Sequence, residues 1–350
     1  MHVRSSTRHR TLGIAVTAIA VVAVVAGVVG GQAGASAPAA VRPPANVKGL
    51  KIMLTNDDSV QGVKADGSDG QGLYEVRKAL CAAGADVIVV GPWGQQSGQG
   101  GRITTDRATG LTITPVTPPA AYTGDCAGAA SGGHVYGVCN SNTTCDSTSP
   151  SASPSDTVIL GVKSFLPATF WPKGPDLVVS GMNWGQNAGA VVSHSGTTNA
   201  AVTAHELGKP AIALSEELDL SCAISGTSCP AYAPGAAFTV KLLGKLRRAG
   251  QLTKSLLLNV NFPHISSGET LGKPAINVLG DGDMLAIGWT GTATQDGGSY
   301  KLGYPSVRVS TQRRADTKAL KANRISIVPM SGDWTAQASA DLTRIVTAFQ

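Results

Sequence analysis

The sequence predicts a doubly wound α/β fold around a mainly parallel sheet, on three grounds. Apolar runs of strand length alternate with helix-length amphipathic segments. The runs stay apolar at successive positions, as strands buried on both faces do, and the repeated strand, helix, strand order calls for right-handed crossovers. "LKIMLTN", residues 50–56, reads as the first buried strand, and "GLYEVRKALCAAG", 72–84, as a helix with apolar residues at helical spacing. "ADVIVVGP" (85–92) is the second strand. Downstream, "PDLVVSGMN" (175–183) is a strand, "TTNAAVTAHELG" (197–208) a helix ended by Gly208, and "KPAIALSE" (209–216) the next strand. "AFTVKLLGKLRRAG" (237–250) is an amphipathic helix, and "SLLLNVNFP" (255–263) is the strand after it.

Two stretches break this rhythm. Residues 117–155 are rich in Gly, Ser, Thr, Pro and Cys and read as a disulfide-tied insertion. Residues 285–315 alternate, as in "YKLGYPSVRVS", and read as a hairpin extension outside the main sheet. One folded domain is therefore expected over 49–350, preceded by a Pro/Ala-rich linker at 38–48. Ahead of the linker, Arg4, Arg8 and Arg10 precede the apolar "LGIAVTAIAVVAVVAGVVGG", and the small residues of "ASA" at 35–37 suit a signal peptidase. Residues 1–37 thus read as a signal peptide cleaved near Ala37, giving a secreted protein with no membrane span. An uncleaved anchor is the rival, because the apolar run is long enough to cross a bilayer.

Composition narrows the partners. Charged residues are only 14% of the chain and the formal charge is +6, which falls to +3 when residues 1–37 take three Arg and no acid with them. Aromatics are 5%, and no Lys/Arg run has aromatics interleaved, so no groove for a nucleic-acid duplex is expected. Small anionic substrates stay open. Six cysteines in an exported chain point to disulfides, with Cys222 and Cys229 paired and Cys126 joined to Cys139 or Cys145. No CxxC pair or His-rich tract supports zinc.

In such folds ligands sit outside the carboxyl ends of the strands. Four loops there carry small polar groups: "TNDDS" after the first strand, "PWGQQSGQGGRIT" after the second, "SGMNWGQNAG" after "PDLVV", and "SHSGTTNAA" leading into a helix. Each alone reads as a cap or a turn. Together they offer oxygen ligands from Asp57, Asp58, Ser97 and Asn183, a set suited to a hard divalent ion such as Mg²⁺ or Mn²⁺. The helix start at "SGTT" and the glycines of "SGQGG", Gly98 first among them, offer backbone N–H groups to a phosphate. A cation site and an anion site on one rim describe metal-assisted phosphate chemistry.

"KIMLTNDDS", "VIVVGPWGQQSGQGGRIT", "PDLVVSGMNWGQNAGAVVSHSGTTNAA", "GKPAIALS", "LLLNVNFP" and "TKALKANRISIVPMSGDWT" resemble, in order, the successive motifs of the SurE nucleotidase family, over residues 49 to 335. The resemblance implies a Rossmann-like, homo-oligomeric, divalent-metal-dependent phosphomonoesterase acting on nucleoside 5′- and 3′-monophosphates. It implies metal ligands at Asp57, Asp58, Ser97 and Asn183, and phosphate contacts at Asn187, Ser195, Gly196 and Thr197. Asp58, ahead of Asp57, would orient or deprotonate the attacking water. Ser153 to Asp156, "SPSD", resembles an altered form of the family's Thr-Pro-x-Asp-Cys loop. The chain departs from the family at Ser59, where Gly is usual, and at Thr157, where Cys is usual. Gln61 to Asp69 and the long 117–152 segment depart as well. Two rivals are weighed: a metal-dependent nucleoside hydrolase, which clusters Asp after its first strand but more densely, and an extracellular nucleotide-binding protein whose catalytic geometry has drifted.

Overall fold

The computed structural model describes residues 46–62, 69–219, 222, 229–282, 288–295, 297–303, 308–333, 335 and 337–348; the signal segment and the linker as far as residue 45 lie outside them. The strands are β1 Lys51–Thr55, β2 Asp86–Pro92, β3 Leu111–Pro115, β4 Val135–Asn140, β5 Leu177–Trp184, β6 Ala211–Glu216, β7 Leu257–Phe262, β8 Ala275–Ile276, β9 Gly288–Thr294, β10 Gly297–Gly303 and β11 Ser326–Pro329. The helices are α1 Gln71–Ala82, α2 Pro154–Leu160, α3 Leu166–Thr169, α4 Gly196–Glu206, α5 Tyr232–Arg248, α6 Asp316–Lys321 and α7 Ala340–Thr347.

Nine strands form one sheet in the order β3-β4-β2-β1-β5-β6-β7-β11-β8. The run from β4 to β7 is parallel throughout, while β3 and β11 lie antiparallel to their neighbours β4 and β7. The chain winds from β1 out to β2 and β4, then returns to lay β5, β6 and β7 on the opposite side of β1. The order therefore reverses between β1 and β5, and the crevice beyond their carboxyl ends is where such sheets place ligands.

Strand alternation sends neighbouring side chains to two cores, which is why the strands are apolar at successive positions. Ile52, Leu54, Val87, Val89, Leu177 and Val179 pack with Leu73, Tyr74 and Val76 of α1 and with Tyr232, Ala236 and Leu243 of α5. Met53, Ile88, Val90, Val178 and Ala213 face the other way, against Val158 of α2, Leu166 of α3 and Ala200, Ala201 and Ala204 of α4. The small residues of α4 let that helix lie close to the sheet.

Three expectations need correction or refinement. The stretch 117–155 is not simply an insertion, because Val135–Asn140 is a main-sheet strand parallel to β2. Its central Gly137 and neighbouring polar residues hid it. The pairing of Cys126 with Cys139 or Cys145 is wrong: the bonds are Cys81–Cys126, Cys139–Cys145 and, as expected, Cys222–Cys229. The buried Arg77 guanidinium of α1 donates to the carbonyls of Tyr122 (3.3 Å), Asp125 (3.1 Å) and Gly133 (2.6 Å), wrapping that loop over α1 beside Cys81. The hairpin outside the main sheet is present as β9 and β10, slightly earlier than "YKLGYPSVRVS" indicated.

Candidate active site

Asp57 and Asp58 follow β1 after the single residue Asn56 and are 3% and 1% exposed. Asp57 faces the start of α4. The Thr197 hydroxyl donates to its Oδ1, and the backbone N–H groups of Gly196 and Thr197 point at the same carboxylate. A helix N-terminus carries partial positive charge, so it stabilises this acid in place of a basic side chain. The approach depends on glycine: a Cβ on Gly196 would sit 2.8 Å from Asp57 Oδ2.

Asp58 turns to β5 and to the loop after β2. Its Oδ2 accepts from the Trp184 N–H at 2.7 Å, and its Oδ1 accepts from Gln95 Nε2 at 3.0 Å. Burial, and then the charge of Asp57, pushes its carboxyl well above the ordinary range. Burial raises Asp57 too, while its bonds to Thr197 and Gly196 pull it back. Two buried carboxylates that face only neutral donors among the described residues call for a cation.

Asn183 fits that requirement. The register of β5 on β6 shifts between Ser180 and Asn183, and a bulge of this kind re-aims the side chains beyond it. Gly181 makes the shift possible, with φ +116° and a Cβ position that would collide with the Leu214 carbonyl. Asn183 Nδ2 donates to the Gly185 carbonyl at 2.6 Å, which fixes the amide; its Oδ1 is buried and accepts no hydrogen bond among the described residues. Carboxylate and amide oxygens with no thiolate or imidazole are the donor set of a hard divalent ion.

Ser97 and Gly98 are brought to the same rim but stay exposed. The Gln96 N–H donates to the Asp57 carbonyl at 2.8 Å, and the Ser97 N–H donates to Gln95 Oε1 at 2.7 Å, so the side chain this loop places on Asp58 is that of Gln95. Gly98 has φ +77° and open space around it, leaving its backbone accessible. Asp156 anchors the far end of the loop through the Thr104 N–H (2.9 Å) and hydroxyl (2.7 Å), while it also closes a capping box with Ser153 at the start of α2. Thr157, at the family's Cys position, hydrogen-bonds Thr55 behind β1 at 3.3 Å.

Of the expected phosphate contacts, Ser195 caps α4 by accepting from the Thr198 N–H at 3.0 Å, and Thr197 serves Asp57. Asn187 is buried and held on every side. Its Nδ2 donates to Ser215 Oγ at 2.9 Å, its N–H donates to Asn261 Oδ1 at 2.8 Å, and its carbonyl accepts from Asn259 (2.8 Å) and Asn261 (3.0 Å). Sequence reasoning overlooked Asn259 and Asn261, although two Asn on one face of "LLLNVNFP" are a legible sign of a buried polar task. Also overlooked was Asp316, whose carboxylate ties Gly189 and Gly280, each at 2.9 Å. His194 is exposed in the short 3₁₀ turn before Ser195. The apolar cavity of about 530 Å³ beside α4, bordered by Val192, Val202, Val278 and Met330, contains neither Asp57 nor Asp58.

Comparison with known proteins identifies the relatives of this chain. The chain is 28% identical over 296 residues to the 5'-nucleotidase SurE of Parvibaculum lavamentivorans, covering 85% of this chain and 90% of the relative. It is 31% identical over 290 residues to the 5'-nucleotidase SurE of Geobacter metallireducens, covering 83% and 94%. The crystal structure of the SurE protein from Aquifex aeolicus, 21% identical, superposes with a TM-score of 0.58 over 85% of this chain and 98% of that one, and shares the fold. Residues 52–279 match the family described as Survival protein SurE, and the chain belongs to that family.

Proposed function

We propose that this protein is a divalent-metal-dependent phosphomonoesterase that hydrolyses nucleoside 5′- and 3′-monophosphates, exported by its N-terminal signal. The observation that carries this reading is the buried Asp57–Asp58 pair beside the orphaned Asn183 Oδ1, at the point where the strand order reverses in a SurE chain. The relatives named 5'-nucleotidase SurE support the nucleotide substrate.

Asp57, Asp58 and Asn183, with Ser97 from the neighbouring loop, would hold Mg²⁺ or Mn²⁺. When bound, the ion supplies Lewis-acid activation of water and neutralises phosphate charge. Asp58 orients the attacking water and takes its proton at a carboxylate oxygen. The Gly98 N–H and the Ser195 hydroxyl bind the phosphate oxygens, where charge grows as the water oxygen bonds to phosphorus and the ester bond breaks. Gly196 and Thr197 act through the Asp57 carboxylate that they hold, and Asn187 fixes the β5–β6–β7 rim beside it. The departing nucleoside oxygen receives the proton, so nucleoside and inorganic phosphate are the products.

The exposed Leu342, Ile345 and Val346 of α7, and Trp289, Tyr300 and Leu302 of the hairpin, support a homo-oligomer. Light scattering of the purified protein tests that; a monomer at all concentrations overturns it. For the activity, the chelated protein is assayed with 5′-AMP, 3′-AMP and p-nitrophenyl phosphate, then resupplied with each divalent ion. Phosphate release that requires the ion is expected. Full activity after chelation would sink the metal dependence. Ribose release from AMP would make the protein a nucleoside hydrolase, and nucleotide binding without turnover would make it a binding protein.

A further inference from the structure

One amide joins the acid pair to the loop that follows β2. Gln95 is half-buried in that loop; its Nε2 donates to Asp58 Oδ1 at 3.0 Å, and its Oε1 accepts from the Ser97 N–H at 2.7 Å. A carboxamide has a donor end and an acceptor end, and each end here meets the partner it can serve. Turned over, the same amide would set its oxygen against a carboxylate and its NH₂ against an N–H. The two neighbours therefore admit a single orientation.

Backbone braces both sides of this amide. Asp58 Oδ2 accepts from the Trp184 N–H at 2.7 Å, so one donor from β5 and one from the loop grip the two oxygens and fix the carboxylate plane. On the loop side, the Trp93 N–H donates to the Val138 carbonyl at 2.9 Å and its indole N–H to the Asp146 carbonyl at 2.7 Å. The Gly94 N–H donates to Ser151 Oγ at 3.1 Å, and Arg102 donates to Gln96 Oε1 at 3.0 Å. The loop is thus tied at residues 93, 94 and 96, while Ser97 and Gly98 stay exposed.

We propose that Gln95 is a positioning residue of the site: its amide holds the Asp58 carboxylate and the Ser97–Gly98 backbone at one fixed spacing, so that the base and the N–H that receives the phosphate address the same phosphorus. The inference rests on the nucleotidase reading and deepens it. Gln95 acts through Asp58 and Ser97 and touches neither water nor phosphate. The bond to the carboxylate is the stronger of its two, since an ionised acceptor strengthens a hydrogen bond. The exposed loop therefore takes its place from the buried acid.

Two substitutions separate the two ends of the amide. Gln95→Met keeps nearly the same volume and removes both bonds, whereas Gln95→Glu keeps an acceptor for the Ser97 N–H and removes the donor to Asp58. Each full-length variant is assayed for phosphate release from 5′-AMP at saturating Mn²⁺. In the chelated state each is also digested briefly with trypsin, which cuts after the exposed Arg102 ahead of the exposed Ile103. The fragment ending at Arg102 is weighed after reduction, because the Cys81–Cys126 bond spans the cut.

For Gln95→Met, kcat is expected to fall and KM to rise, together ~10²-fold in kcat/KM, as for a misplacement of about 1 Å. Cleavage after Arg102 is expected to be about tenfold faster, as local opening becomes easier. For Gln95→Glu, kcat is expected to fall while KM stays near the wild-type value. A side chain that only supported the fold would lower the melting temperature and leave both constants of the folded protein unchanged. Wild-type kcat/KM in Gln95→Met, or wild-type cleavage after Arg102, overturns the proposal; if that variant does not fold, unchanged kcat in Gln95→Glu does so. A wild type that releases no phosphate overturns the nucleotidase reading instead, and the cleavage rate of Gln95→Met then decides whether the amide holds the loop.

Discussion

Asp57 and Glu216 are buried acids at the carboxyl ends of two strands of one sheet, yet their surroundings are opposite. Asp57 points toward α4, where a hydroxyl and two backbone N–H groups converge on it. Glu216 points toward α1 and α5, where it meets the charges of Asp219 and Asp69 and the Tyr232 hydroxyl. Helix placement is the difference. α4 presents its N-terminus to the sheet edge at Asp57, whereas among the described residues no backbone N–H donates to Glu216. A buried acid is thus stabilised on one face by fixed dipoles and pushed on the other toward its protonated form by burial and neighbouring charge.

The largest effect should come from Asp58, which adjoins Asp57 and whose charge also acts on Glu216. Asp58→Asn keeps shape but removes the proposed base, and phosphate release is expected to fall by ~10²–10⁴-fold, measured as kcat/KM with AMP. Unchanged kcat/KM would remove Asp58 from the chemistry.

Next comes pH. Burial raises Asp57, Asp58, Asp69 and Glu216, so the folded chain holds these protons more tightly than the unfolded one. For such groups stability is full below the unfolded pKa and is lost as pH rises through the folded value. The chelated protein should therefore melt higher at about pH 5 than at about pH 7.5, and added Mn²⁺ should raise the melting temperature more at the higher pH, where the ligands release protons. A chelated protein that gains stability steadily over that window contradicts the assignment.

Thr197→Val makes Asp57 resemble Glu216 by deleting its hydroxyl donor. A loss of about 1–3 kcal/mol in denaturant unfolding is expected, as for a buried acceptor left unsatisfied. The smallest effect concerns the turn that carries both Asp residues. Ser59 has φ +83°, a conformation that favours glycine, and its hydroxyl offsets part of the strain by accepting from the Gln61 N–H at 3.0 Å. Ser59→Gly should stabilise the fold by about 1 kcal/mol, and a loss of stability would mean that the hydroxyl bond outweighs the strain.

Much of this arrangement was legible in the chain. Continuous apolar runs identify strands buried on both faces without any structure, and Asn-Asp-Asp at the end of one marks the rim. The Gly expected in place of Ser59 has its explanation in the left-handed backbone there. Other features had no local signature. β4 was hidden because "HVYGVCN" is short and interrupted by Gly137 and polar residues. The Cys81–Cys126 bond was missed because nearness in sequence favoured partners within the loop, while Arg77 draws that loop onto α1.

By itself the sequence determined the residue types and their periodicity: that β1, β2, β5, β6 and β7 are strands, which rim residues carry oxygen, and that a helix begins at Ser195. Only the tertiary structure decided which donors each acid meets. Gln95, not Ser97, touches Asp58, Thr197 turns to Asp57, and Glu216 faces the Tyr232 hydroxyl at the start of α5. The reason is geometric: strand alternation settles which face a side chain takes, but what waits on that face comes from segments far away in the chain.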